Sequence, residues 1–118
     1  MIDAISVLEE MTADAVSVIE RAAGGASVCS FTKSGVPVPG VKYAEGRWVA
    51  LRELKLQGAT PAAVAQLSAT WRERLSGLHA RDAGSDWLAY ASGGVDALAE
   101  FHSRLAAEPW WGNLDHNP

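Results

Sequence analysis

Gly58-Ala59-Thr60-Pro61-Ala62-Ala63-Val64 is the stretch on which the fold of this chain turns. Thr60 supplies the side-chain oxygen of a helix N-cap, and Pro61 brings the fixed φ that suits a first helical position. A helix therefore starts at 61. It runs to 80, with Val64, Leu67, Trp71, Leu75 and Leu78 on a narrow apolar stripe and Gln66, Arg72 and Glu73 away from it. Gly58 stops the segment before it, so two helices meet across a three-residue turn.

Upstream, residues 45–57 place Trp48, Leu51 and Leu54 at helical spacing. Residues 27–43 differ in character. Val28-Cys29-Ser30-Phe31-Thr32 is β-branched and aromatic, Ser34-Gly35 is a turn signal, and Val36-Pro37-Val38-Pro39-Gly40 follows. Pro37 and Pro39 remove donors from one edge of an extended segment, so the region reads as a small hairpin with a blocked edge, or as an extended proline-rich loop. Residues 2–23 read as a first helix. Its wide stripe runs through Ala4, Leu8, Met11, Ala15, Ile19 and Ala22, flanked by Ile5, Val16 and Val18, and Gly24-Gly25 closes it.

Downstream, Gly84-Ser85-Asp86 marks a boundary. Short helices are expected over 86–92 and 95–107, separated at Gly93-Gly94, with Val95, Leu98, Phe101 and Leu105 inward. A tail follows over 108–118. Tryptophans recur at 48, 71, 87 and 110, without a repeat that can be read around them. The expected architecture is one mainly α domain over 1–118, with about five helices and the hairpin or loop after the first.

Composition sets bounds on function. The chain has 118 residues, 48% hydrophobic and 20% charged, with a net charge of −4. That is an ordinary globular balance, and its mild acidity argues against a surface built for nucleic acid or anionic lipid. No apolar run approaches the roughly 18 residues of a membrane span. Met1-Ile2-Asp3 opens without basic residues, and Cys29 is the one cysteine. No signal peptide and a cytoplasmic location are expected.

Several residues invite functional readings. The chain has five Trp against two Phe and two Tyr. Trp48, Trp71 and Trp87 fall on helical stripes and read as core anchors, whereas Trp110 and Trp111 sit together in the tail. There they either cap this domain's core or anchor a partner, since Trp is enriched at interface hot spots. Cys29 is a possible reactive thiol, but has no histidine near it in sequence to act as a base. Ser30-Phe31-Thr32-Lys33 matches Ser-x-x-Lys formally, but an extended segment puts positions i and i+3 on opposite faces. His102 falls within the stripe of the last helix near Leu98 and Leu105, a possible functional titratable group with Tyr43 or Tyr90 in reach. His79, His102 and His116 lack a metal-binding spacing, so no metal and no cofactor is assigned.

Leu54-Lys55-Leu56-Gln57-Gly58-Ala59-Thr60-Pro61-Ala62-Ala63-Val64 resembles the helix-turn-helix of many bacterial regulators. The resemblance implies DNA binding through 54–72. Leu54 stands where those motifs usually carry a small residue, and Arg72 is the first cation after Pro61, so phosphate contacts would be few. The leading expectation is a non-enzymatic protein–protein interaction, assembly or adaptor domain, binding another protein or a second copy of itself. A helix-turn-helix regulator and a small enzyme or ligand-binding domain with a pocket near His102 are the alternatives.

Overall fold

The computed structural model describes residues 3–23 and 38–106, and among them it contains four helices and no strand. They are α1 (Ala4–Ala23), α2 (Val38–Gln57), α3 (Pro61–Ala80) and α4 (Ser85–Ala106). The α2–α3 junction forms as its residues require. The Thr60 hydroxyl accepts from the Ala63 amide at 3.1 Å, and Pro61 stands at the start of the helix. Gly58 (φ 99°) and Ala59 (φ 53°) make the left-handed turn, and the Ala59 amide returns to the Leu54 carbonyl at 3.0 Å. At the other end of α3, Asp82 (φ 53°) and the Ala83 amide on Leu78 O at 2.9 Å play the same part.

Two expectations are corrected. Residues 38–43 are helical, not the second strand of a hairpin. Pro39 lies in the first turn of α2, where amides have no intrahelical acceptor and a missing N–H removes nothing. Lys42 and Glu45 already pair across one helical turn at 3.3 Å. The remainder of that expected hairpin, 27–37, lies outside the described residues apart from their boundary at 38. The second correction concerns the break at Gly93-Gly94. α4 passes through both glycines unbroken, so the helices expected at 86–92 and 95–107 are one, and the described residues hold four helices.

Packing explains why the glycines stay helical. A β-carbon at Gly93 would overlap the Tyr43 main-chain carbonyl and come within 3.2 Å of the Arg47 amide nitrogen. At Gly46 it would overlap the carbonyl of Tyr90, and at Gly94 the ring of Trp71. α2 and α4 thus cross with backbone against backbone, and burial there offsets the roughly 1 kcal/mol per residue that glycine costs a helix. The polar pairs beside this contact rise together, one turn on each helix: Tyr43 meets Asp96 and Arg47 meets Glu100. α2 and α4 therefore run in the same direction, and α3 is the return stroke between them.

The core sits where the other helices close on this pair. Leu8 and Met11 of α1, Leu51 and Leu54 of α2, Trp71 of α3, and Leu98, Phe101 and Leu105 of α4 are fully buried. Each contributes about 1.5–3 kcal/mol of burial. α1 packs chiefly against α2, and α3 chiefly against α4. No helix among the described residues is long and apolar enough to cross a membrane.

Candidate functional site

Several polar groups along one side of the helical body pair with one another. The Tyr43 hydroxyl donates to Asp96 Oδ2 at 2.7 Å. Arg47 binds Glu100 at 2.6 Å, Arg104 binds the other oxygen of Glu100 at 2.8 Å, and Arg104 also reaches Glu10 of α1 at 3.5 Å. This chain of alternating charge ties α2, α4 and α1 along one side. Burial raises the Tyr43 pKa, and the Asp96 carboxylate raises it further, so the phenol stays protonated. Burial alone would lower the Arg47 pKa, but the bond and charge of Glu100 more than offset it. These residues hold helices together, and none of them points a spare acid or base into a cleft. Among the described residues no three His, Cys, Asp or Glu side chains gather to hold a metal.

A different surface forms around Tyr90. Trp71 is wholly buried, and its indole N–H donates to Glu53 Oε1 at 2.8 Å, so its polar edge is satisfied. Gly94 makes room for the ring, and the Arg74 guanidinium lies over it, 4.5 Å from the centroid. Tyr90 leans on Trp71 with ring centroids 5.5 Å apart, and Trp87 stands edge-on to Tyr90 at 6.4 Å. The three rings step outward from the core to water. Trp71 is covered, Tyr90 is half-buried, and Trp87 is 63% exposed. Arg74, Glu53, Glu45 and Lys42 ring Tyr90, whose pKa is raised by its burial.

The residues singled out in sequence fare differently. Trp71 is a core anchor as expected; Trp48 is half-buried, and Trp87 is not a core residue at all. The Trp87 ring stands edge-on to Tyr90 and is otherwise largely open to water. His102 is exposed: the buried arc of α4 runs through Ala97, Leu98, Phe101 and Leu105 and leaves it on the edge. Tyr43 and Tyr90 both lie at the α2–α4 crossing, each main-chain carbonyl against a glycine of the other helix, but their side chains engage Asp96 and Trp71 respectively. Cys29, Trp110 and Trp111 lie outside the described residues. In the 54–72 segment Leu54 is fully buried, and the exposed positions of the first turns of α3 are Ala62, Ala65, Gln66, Ala69 and Thr70, none of them basic.

One signal in the sequence was overlooked. Tyr43-Ala44-Glu45-Gly46 on α2 and Tyr90-Ala91-Ser92-Gly93 on α4 are the same word, and Ala50-Leu51 with Glu53 recur in register as Ala97-Leu98 with Glu100. The matched glycines are those that interlock, and Tyr90 of the second word is the centre of the aromatic surface. Comparison with protein-family models, curated proteins and solved structures finds no match to this chain.

Proposed function

We propose that this protein is a helical interaction module that engages a protein partner through the Trp87–Tyr90 surface. The observation that carries the reading is the exposure of Trp87 on a rigid aromatic support. A fully solvated indole on a helix contributes little to folding, whereas a ring held edge-on by Tyr90, itself backed by a buried Trp71, is preorganised for contact. Trp, Tyr and Arg are the residue types that dominate binding energy at interfaces, and Arg74 lies over Trp71 and near Tyr90. The internal pairing of Tyr43, Arg47, Glu100 and Arg104 favours this reading over catalysis. The Trp110–Trp111 pair belongs to the same proposal as a second anchor on the partner.

The test captures partners on wild-type protein and on Trp87→Ala in parallel, with Trp110→Ala/Trp111→Ala as a third bait. A protein retained by the wild type and lost from Trp87→Ala, with the helical circular dichroism unchanged, is the expected result. Equal retention by wild type and Trp87→Ala, or retention of nucleic acid in place of protein, overturns the proposal.

A further inference from the structure

The strongest unassigned feature lies where α2 faces α1. A cleft of about 340 Å³ opens there, lined by Leu8, Glu9, Thr12, Trp48, Arg52 and Lys55. Its floor is the buried Leu8 and the half-buried indole of Trp48. Its mouth carries two cations on one wall. The Arg52 guanidinium sits over the Trp48 ring, 5.6 Å from the centroid, so it is held in place without a carboxylate. Lys55 follows one turn later on the same face, and among the described residues neither cation forms an ion pair. Lys42, Arg47 and Arg104 differ in this respect, each being paired with a glutamate. Glu9 on the facing wall is paired with neither Arg52 nor Lys55.

An apolar floor beneath two cations is complementary to an amphiphilic anion. From this juxtaposition we infer that the α1–α2 cleft binds a small aromatic monocarboxylate, with its ring on Leu8 and Trp48 and its carboxylate at Arg52 and Lys55. The volume lies at the low end of the roughly 300–1,000 Å³ of small-molecule sites, which selects one ring system over a nucleotide or a peptide. A guanidinium already fixed over an indole loses little freedom on meeting a carboxylate, and the bond formed is charge-assisted. The Thr12 hydroxyl donates to the Leu8 carbonyl at 2.7 Å, so its proton is already engaged.

The probe is 2-naphthoate, titrated into the ¹⁵N-labelled full chain at low salt and followed by NMR. Saturable shifts of the Trp48 indole N–H and of the Leu8, Thr12 and Arg52 amides are expected. The neutral isostere 2-naphthalenemethanol should bind at least about tenfold more weakly, as should 2-naphthoate to Arg52→Gln/Lys55→Gln, whose side chains are exposed. Three results overturn the inference. They are equal binding of acid and alcohol, shifts centred on Trp71 and Trp87 instead of Trp48, and no saturation at millimolar probe. The comparison of acid with alcohol on the wild type decides the matter even if the double variant fails to fold.

Discussion

The main-chain carbonyl of Tyr90 fills the space that a β-carbon on Gly46 would need, and the carbonyl of Tyr43 does the same at Gly93. The two helices are thus locked at a separation that only hydrogen side chains permit. The first prediction follows from the nature of the obstacle. Main chain inside a helix cannot swing aside, so Gly46→Ala should fall at the upper end of the roughly 1–3 kcal/mol that overpacking costs, outweighing the approximately 1 kcal/mol gained in helix propensity. Gly77 of α3 is the control. A β-carbon there meets only the end of Arg81 at 3.7 Å, so Gly77→Ala should stabilise by about 0.5–1 kcal/mol. Urea denaturation of both variants checks this, and midpoints moving in the same direction would refute the close crossing.

Trp71 and Glu53 should show strong coupling. Glu53→Ala leaves a buried indole N–H without its acceptor, at about 1–3 kcal/mol. Trp71→Phe removes the donor and part of the ring's packing against Gly94, and should cost about 2–4 kcal/mol. Because each change removes the same bond, the double variant should be less destabilised than the two single effects together, by about 1 kcal/mol or more. Strict additivity in a double-mutant cycle would mean that the bond contributes nothing.

Thr60→Ala tests the capping of α3. Losing the hydroxyl that receives the Ala63 amide should lower stability by about 1 kcal/mol, and Thr60→Ser should restore most of it. Thermal melts of the three proteins give the answer. If Ala and Ser variants melt alike, the cap oxygen is not what starts the helix.

The two tyrosines offer a pH test, since the chain has no others. Burial raises both pKa values, with Asp96 adding to the effect at Tyr43 and Glu53 and Glu45 at Tyr90. Each folded phenol holds its proton more tightly than the unfolded one, which titrates near about 10. The stability this provides is therefore complete below that pH and is lost as pH rises through the folded values. Phenolate absorbance of the native protein should rise at higher pH than in urea. Coincident curves would mean that neither ring is buried as described.

The parts of the fold legible in sequence were those written in local chemistry. Thr60-Pro61 and the Gly58 turn set the limits of α3, and the stripe of Leu8, Met11 and Ala15 gave the buried face of α1. The parts that were not legible depend on contacts between segments distant in sequence. Gly93-Gly94 reads as a helix stop when taken alone, because the carbonyl of Tyr43 and the ring of Trp71 that occupy its space belong to other helices. Pro39 reads as a strand breaker until α2 is seen to begin there. Trp87 lies in register with Ala91, Gly94 and Leu98, so helical spacing alone placed it inward, yet its ring is 63% exposed. The repeated Tyr-Ala-x-Gly word is the long-range signal in the sequence, because its two glycines mark the segments whose backbones meet.

The parallel run of α2 and α4 gives α3 a further task. Each residue added within a helix turns everything beyond it by about 100° and advances it by about 1.5 Å. α3 holds Trp71 against Gly94 while its two ends deliver α2 and α4 to their crossing, so its length sets the phase in which the two glycines face each other. A residue inserted between Trp71 and Ala80 would rotate α4 out of step with α2 without altering a residue of either helix. The return stroke is the timing element of the bundle.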